Sequence, residues 1–273
     1  MKGFVMKYDY DQDSIITELR NIGLKEGQTL FVHSSLGYLG IPKGGMKKEI
    51  VCETLLGAFA TVLGSEGTLC LPSFTYSICR GEVFDPSTTP APGMGMLSEY
   101  VISGFKGSFY RSADPIFSIL CIGKDAKELS QCKSFECFGH DSFFDRLYKR
   151  NGVLVNINMD AGSTFIHYVE KSLNVPYRFD KEFSGMVTEG QLQKNETWTY
   201  FCRDLEKPED DTQFEVWDKV AREAGIIRSA TVGRGSILAM DCKDVFRVIK
   251  DELKVRADFL TVKCRDYSKN STN

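Results

Sequence analysis

The sequence has neither an excess of basic charge nor a long apolar run, and each absence argues against a class of protein. The 273 residues include 34 lysines and arginines against 37 acidic residues, a formal net charge of -3, which disfavours attraction to a nucleic-acid backbone. No uninterrupted apolar stretch approaches the roughly 20 residues that cross a membrane. Residues 1–11 lack the apolar centre of a secretory signal. We therefore expect a globular, cytoplasmic protein that binds neither nucleic acid nor membrane.

The nine cysteines lack a pattern that would give them chemistry. They are odd in number and spread over the whole length, which is typical of reduced core thiols in a cytosolic protein. The closest pair, Cys132 and Cys137, lacks the spacing of a zinc knuckle and has no second pair to complete four ligands. We therefore predict no metal site.

The first two thirds of the chain alternate between strand-like and helix-like segments. The strand candidates are residues 29–35, 68–75, 116–123 and 152–159, and the helix candidates are residues 46–63, 126–132 and 142–150. This alternation predicts an α/β protein with a mixed or parallel sheet covered by helices.

The pattern changes after residue 171, where the predicted strands become more polar and more aromatic. The candidates there are a strand at 193–202, a charged loop at 204–211 and helices at 213–224 and 236–254. No repeat or linker divides the chain, so we predict one domain over residues 1–267, with 172–212 as a β-rich segment. The polar residues 268–273 are predicted to form a disordered tail.

His167 follows the fourth strand candidate, at the start of the next helix, and it is one of only three histidines. Ligands of α/β folds gather at the carboxyl ends of strands, and an imidazole there can act as a general base near neutral pH. The alternative is a structural histidine. The sequence leaves two main candidates for the carboxylate that would orient the ring. Glu170 lies three residues after His167 on the same helical face, and Asp160 lies at the strand end. Asp204 or Glu215 could approach from elsewhere.

Polar loops also border other strand candidates, at 33–37, 72–76 and 111–115. Serine and glycine are common in such turns, so each loop alone has a structural explanation. Taken together, they predict a cleft lined with hydrogen-bond donors. In that cleft, His33 would orient the Ser34–Ser35 turn by hydrogen bonding, with a catalytic role as the alternative.

These motifs, in their order and spacing, resemble the aminoglycoside 3-N-acetyltransferase family. The motifs that carry the resemblance are His33-Ser34-Ser35-Leu36, Gly44-Gly45, Gly67-Thr68-Leu69, Pro72 to Thr75, Phe84-Asp85-Pro86, Arg111-Ser112, residues 139–147 and residues 164–170. The resemblance implies a three-layer α/β/α fold with a central mixed sheet. It also implies an acyl coenzyme A donor, by default acetyl-CoA, and an amino group of a sugar as acceptor, with residues 172–212 on the acceptor side.

The resemblance also suggests where the two substrates bind. A thioester needs preorganised donors for the oxyanion, and a helix start rich in free N–H groups suits a coenzyme phosphate. The predicted donor-binding residues are Ser34, Ser35, Leu36, Gly37, Lys43, Gly44, Gly45, Ser73, Phe74, Thr75, Arg111 and Ser112. The predicted acceptor-binding residues are Tyr76, Asp114, Tyr168 and Tyr177, and the predicted catalytic residues are His167, Glu170 and Asp160.

One departure from the family bears on the acceptor. Resistance enzymes usually carry histidine after Arg-Ser, in the pattern Arg-Ser-x-His-Pro, where this chain has Asp114. The carboxylate could bind an acceptor ammonium or pair with Arg111. The modest net charge of -3 also provides less attraction for polycationic drugs. These two features favour a nucleotide-linked amino deoxysugar as acceptor, with an aminoglycoside as the alternative.

Two other classes of function stay open. A serine hydrolase would use Ser34 or Ser35 as nucleophile, but the chain has no Gly-x-Ser-x-Gly elbow. A non-catalytic binding protein would keep the coenzyme cleft without turnover, although the retention of His167 beside a carboxylate argues against it. A homodimer is the default expectation for an enzyme of this size.

Overall fold

The computed structural model describes residues 7–132 and 134–264, and its centre is a seven-stranded mixed sheet. The strands are β1 (Thr29–Ser34), β2 (Thr68–Pro72), β3 (Tyr110–Arg111), β4 (Ile119–Gly123), β5 (Val153–Ile157), β6 (Arg178–Glu189), β7 (Leu192–Arg203), β8 (Arg228–Val232) and β9 (Gly235–Asp241). The sheet order is β3-β4-β2-β1-β5-β9-β8, and β6 and β7 form a separate hairpin. Strand β1 pairs in parallel with β2 and β5, so the carboxyl ends of these three strands meet at one edge.

Eight helices connect and cover the strands in the described part of the chain. They are α1 (Gln12–Asn21), α2 (Lys48–Leu63), α3 (Met96–Gly104), α4 (Ala126–Ser130), α5 (Phe143–Lys149), α6 (Phe165–Ser172), α7 (Glu215–Glu223) and α8 (Cys242–Val255). None of the described helices is long and apolar enough to cross a membrane.

Two apolar cores lie on opposite faces of the sheet. In β1, Leu30 and Val32 pack into the core that contains α1, α2 and α3, while Phe31 packs into the core that contains α5, α6 and α8. This alternation follows from the two-residue period of a strand with both faces buried. The predicted α/β/α arrangement with a central mixed sheet is therefore confirmed.

The hairpin of β6 and β7 stands apart from the main sheet. Its pairing runs from Arg178–Arg203 at the root to Glu189–Leu192 at the tip, and most of its residues are exposed or half-buried. It lies within the segment predicted to be β-rich. Its root follows α6 closely in the chain, which brings Arg178 to the helix that carries His167.

The C-terminal part of the fold departs from the sequence prediction. Residues 236–254 were predicted as one helix, but Gly235–Asp241 is β9, and the helix begins at Cys242. A short apolar run is compatible with either structure. The segment forms a strand because it pairs with β5, with Leu154 opposite Met240. The single-domain division stays a prediction, and the tail at 268–273 lies outside the described residues.

Candidate active site

His167 and Glu170 form a close pair on α6. The two residues are three apart, so they lie on the same face of the helix, and His167 Nδ1 is 2.6 Å from Glu170 Oε2. The imidazole side chain is 18% exposed, whereas the carboxylate is fully buried. The structure therefore brings together the predicted base and one of the candidate carboxylates.

Glu170 has two further partners from the segment after α6. The hydroxyl of Tyr177 donates to Glu170 Oε1 at 3.0 Å, and Arg178 Nε lies 2.8 Å from Glu170 Oε2. Tyr177 was predicted to stack on the acceptor, but its ring is buried and its hydroxyl is bonded to Glu170. Arg178 was not predicted, because only the turn into β6 brings it to the helix.

Buried charges set the protonation of this group. Burial and the nearby Arg178 lower the pKa of His167, against the opposing effect of Glu170. Burial alone would raise the pKa of Glu170, but His167, Arg178 and Tyr177 together lower it. Near neutral pH the site therefore holds a neutral imidazole, an ionised carboxylate and a guanidinium.

Asp160 does not occupy the carboxylate position beside His167. Its Oδ1 accepts a hydrogen bond from the Gly162 amide at 2.8 Å, which closes the loop between β5 and α6. A carboxylate at a loop start commonly accepts such a local bond. A catalytic role for Asp160 loses support.

A cleft of about 470 Å³ opens where β1 and β2 end. Its lining includes the predicted donor-binding residues Ser34, Ser35, Leu36, Gly37 and Phe74, together with His33, Pro72, Met159 and the loop 93–96. His33 reaches from this cleft to α6, since its Nε2 lies 3.4 Å from Thr164 Oγ1.

Ser73 and Arg111, two predicted donor-binding residues, have their side chains committed to the protein interior. Ser73 Oγ donates to the Ser118 carbonyl at 2.9 Å, and Arg111 donates to Ser73 and to the Thr89 carbonyl. Burial lowers the pKa of Arg111 to about 10. These contacts fasten the loops that follow β2 and precede β4.

Thr75 and Ser112 serve the same loops. Thr75 Oγ1 donates to the Pro115 carbonyl at 2.7 Å, and Ser112 Oγ accepts from the Ile119 amide at 2.9 Å. A donor-binding role for Ser73, Thr75, Arg111 or Ser112 stays a prediction, because their hydrogen bonds already have a structural use.

Asp114, the residue that departs from the family pattern, is also turned inward. It is 8% exposed, and its Oδ1 accepts from the amides of Ile116 and Phe117 at 2.8 and 2.9 Å. Burial raises its pKa to about 6, against the effect of those two amides. The predicted alternatives, acceptor binding or a pair with Arg111, lose support because the carboxylate is occupied by its own turn.

Tyr76 and Tyr168 are packed among other aromatic rings. Tyr76 lies edge-on to Phe117 at 5.2 Å between ring centroids, and the buried hydroxyl of Tyr168 donates to Asp145 Oδ1 at 3.0 Å. Stacking of either ring on an acceptor stays a prediction.

Lys43, Gly44 and Gly45 precede α2 instead of starting it, since the helix begins at Lys48. Both glycines have positive φ, near 100°, a backbone conformation that other residues rarely adopt. The Lys43 ammonium lies 5.8 Å from the centroid of the Tyr8 ring. Phosphate binding by this turn stays a prediction.

A second cleft, of about 510 Å³, lies beside the hairpin. Its lining includes the carboxylate residues Asp85, Glu189 and Glu196 and the aromatic residues Phe135 and Trp198. Acidic and aromatic side chains are the groups that bind a cationic, ring-shaped ligand.

Comparison with known proteins agrees with the motifs. The profile of the aminoglycoside 3-N-acetyltransferase family matches residues 31–254. Aminoglycoside N(3)-acetyltransferase IV from a Salmonella species is 26% identical over 246 residues, which cover 88% of this chain and 86% of the relative. Aminoglycoside N(3)-acetyltransferase IX from Micromonospora chalcea is 26% identical over 261 residues, covering 84% and 88%.

Solved structures of this family share the fold. Aminoglycoside acetyltransferase AAC(3)-Xa superimposes with a TM-score of 0.75 at 22% identity, covering 87% of this chain and 90% of that one. AAC-IIIb, solved as a binary complex with CoASH, gives a TM-score of 0.76 at 18% identity, covering 90% and 97%. At these identities the likeness establishes the fold. The family profile spans most of the sequence, and the chain therefore belongs to the aminoglycoside 3-N-acetyltransferase family.

Proposed function

We propose that this protein transfers an acetyl group from acetyl-CoA to an amino group of an aminoglycoside. The observation that carries the proposal is the pair of His167 and the buried Glu170, at 2.6 Å, in a member of this family. The names of the relatives, aminoglycoside N(3)-acetyltransferases, support the acceptor class.

His167 is the proposed general base. An ammonium group must lose a proton before its nitrogen can attack a thioester. While its Nδ1–H donates a hydrogen bond to Glu170, His167 Nε2 accepts the proton of the amine, and the buried carboxylate stabilises the imidazolium that results. The amine nitrogen forms the amide bond as the C–S bond of the thioester breaks, and the imidazolium returns its proton to the leaving thiolate, which departs as CoA thiol. The lowered pKa of His167 keeps the ring neutral, and hence able to accept a proton, near neutral pH.

The cleft at the ends of β1 and β2 suits the donor. Its wall combines apolar side chains, among them Phe74 and Met159, with the hydroxyls of Ser34 and Ser35, which matches the alternating methylene and amide groups of a pantetheine arm. The Ser35 amide already donates to the Ile157 carbonyl at 2.9 Å. The proposed oxyanion donors are therefore the amides that open the short 3-10 turn at Leu36–Tyr38, because the first amides of a helical turn have no partner within it.

The acceptor preference differs from the one that the sequence suggested. The case for a nucleotide-linked amino deoxysugar rested partly on Asp114, whose carboxylate is occupied by backbone amides. The acidic and aromatic lining of the cleft beside the hairpin instead supports a cationic amino sugar. The nucleotide-linked sugar stays the second candidate, because the net charge of -3 gives little attraction for polycations.

The proposal is tested by release of free thiol from acetyl-CoA with a panel of aminoglycosides and nucleotide-linked amino deoxysugars. We expect turnover on aminoglycosides, and His167→Ala should lower kcat by about 1000-fold, as expected for loss of a general base. His140→Ala is the matched control, because His140 is exposed and lies in the loop before α5.

Each outcome separates the candidates. Turnover confined to nucleotide sugars would show that the acceptor is a nucleotide-linked amino sugar and not an aminoglycoside, and it would leave His167 as the proposed base. Equal activity of the His167→Ala and His140→Ala variants would remove His167 from the mechanism. Coenzyme A binding without turnover on any acceptor would support a binding protein.

A further inference from the structure

His33 Nδ1 on β1 and Asn156 Oδ1 on β5 are buried polar atoms that have no hydrogen-bond partner among the described residues. His33 on β1 stands directly opposite Asn156 on β5 in the parallel register, so both side chains leave the same face of the sheet. Buried polar groups of native proteins are nearly always paired, so two orphaned atoms on neighbouring positions require an explanation.

The Asn156 amide has a fixed orientation. Its Nδ2 donates to the carbonyl of Gly162 at 2.8 Å and to the carbonyl of Asp160. These two bonds use both amide hydrogens, so Oδ1 is an acceptor that needs a donor from elsewhere. The same bonds hold the loop that leads into α6.

His33 contacts both the cleft and the helix. It lines the cleft proposed for the donor, and its Nε2 lies 3.4 Å from Thr164 Oγ1. Thr164 immediately precedes α6, and its carbonyl accepts the His167 amide at 3.1 Å. One side chain thus connects the wall of the cleft with the first turn of the helix that carries His167.

The placement of one proton can satisfy both orphaned atoms. Burial lowers the pKa of His33 to about 4, so near neutral pH the ring carries a single N–H. A proton on Nδ1 provides the donor that Asn156 Oδ1 lacks, and Nε2 can then accept the Thr164 hydroxyl. A proton on Nε2 would leave both buried atoms as acceptors without a donor, which is costly.

We propose that His33 and Asn156 are positioning residues for His167. His33, as the Nδ1–H tautomer, turns its Nδ1–H to Asn156 Oδ1 and accepts the Thr164 hydroxyl at Nε2. This network holds the end of β1, the loop after β5 and the first turn of α6 in one arrangement. Its catalytic consequence rests on the proposed acetyl transfer, whereas the tautomer does not.

The tautomer is measured directly by nitrogen NMR of protein labelled with ¹⁵N-histidine. The chain has only three histidines, so the signals of His33 are assigned by comparison with the His33→Asn and His140→Ala variants. We expect a protonated Nδ1 and an unprotonated Nε2 on His33 near neutral pH, with this preference lost in Asn156→Leu. A protonated Nε2 in the unmodified protein overturns the proposal.

The positioning role is measured with Thr164→Val, which keeps the side-chain shape and removes the hydroxyl. We expect kcat to fall by about 10-fold, with an unchanged KM for acetyl-CoA, because small displacements of catalytic groups are costly. The matched control is Thr54→Val, which removes a hydroxyl bonded at 2.7 Å to the Ile50 carbonyl within α2. Equal kcat values for the two folded variants would overturn the positioning role.

A negative result in either measurement can be distinguished from a failure of the proposed acetyl transfer. If the protein acetylates no amine, the NMR result alone decides whether the His33–Asn156 network exists. Melting temperatures of both threonine variants show whether a loss of kcat reflects a loss of folded protein.

Discussion

Glu170 and Asp114 are two buried carboxylates whose surroundings move their pKa in opposite directions. Glu170 has an imidazole, a guanidinium and a tyrosine hydroxyl as partners, and these lower its pKa although burial alone would raise it. Asp114 accepts hydrogen bonds from two backbone amides and a thiol, and burial raises its pKa to about 6. Burial is similar in the two places, so the difference comes from a neighbouring positive charge.

This difference separates the carboxylate proposed to be catalytic from a structural one. Amide dipoles alone do not offset the desolvation of Asp114, whereas Arg178 and the titratable His167 do so for Glu170. An ionised carboxylate beside an imidazole can orient and stabilise an imidazolium, whereas Asp114 contacts two backbone amides and a thiol. Helical spacing made Glu170 a site candidate, and the departure from the family pattern made Asp114 one; the charge of their partners distinguishes them.

Among changes to the two carboxylates and to Arg178, the largest effect is expected for Glu170→Gln. This change keeps the size of the side chain but removes the charge that holds the Nδ1 proton of His167, so we expect kcat to fall by about 100-fold or more. Steady-state kinetics near neutral pH check the prediction. Glu53→Gln is the matched control. Glu53 lies on α2, away from α6 in the chain, and its carboxylate likewise accepts a hydrogen bond from a tyrosine, the Tyr100 hydroxyl at 2.8 Å. A kcat equal to that of the control would show that Glu170 is only structural.

A smaller effect, on stability, is expected for Asp114→Asn. The folded pKa of about 6 exceeds the ordinary value of 3.8, so ionisation of Asp114 costs stability as pH rises through 6. The shift of about two units corresponds to about 3 kcal/mol at neutral pH, and this cost is absent below 3.8. The variant, which does not ionise, should gain stability relative to the unmodified protein as pH rises.

Urea unfolding of both proteins at several pH values measures this gain. The comparison cancels the titration of the other groups, which are common to the two proteins. A difference in unfolding free energy that does not change with pH would contradict the inward, desolvated position of Asp114.

The smallest expected effect is a shift in pH dependence in Arg178→Met. The guanidinium lowers the pKa of His167, so its removal should raise that pKa. Since the base must be neutral, the acid limb of kcat then lies at higher pH, by about one unit at most. Arg178→Lys keeps the charge and should leave the limb near its original place. A downward shift in the methionine variant would show that Arg178 does not act on His167 through its charge.

From the sequence, contacts in the site between residues close together in the chain could be predicted, and contacts between residues far apart in the chain could not. His167 and Glu170 are neighbours on one helix, so a spacing of three residues was enough to pair them. Arg178 reaches Glu170 only through the turn between α6 and β6, and no pattern marked it. The inward orientation of Asp114 depends on the amides of its own turn, which residue types do not reveal.

The fold shows the same limit. Strands β1, β2, β4 and β5 were predicted because each is a buried apolar run, whereas the two-residue strand β3 was assigned to a loop. Helix α3 was not predicted, although Leu97, Tyr100 and Val101 have helical spacing and are buried. Strand β9 was read as helix because its identity depends on pairing with β5, which lies about 80 residues earlier in the chain.

The root of the hairpin has a consequence for engineering. Arg178, the first residue of β6, forms an ion pair with Glu170 and donates to the Thr212 hydroxyl, so the root of the hairpin is joined to the proposed site. A graft that exchanges residues 179–202 for those of a relative would retain these bonds, whereas a graft beginning one residue earlier would cut the ion pair. The part of the hairpin that lines the proposed acceptor cleft can thus be exchanged between family members without removing the ion pair of Arg178 with Glu170.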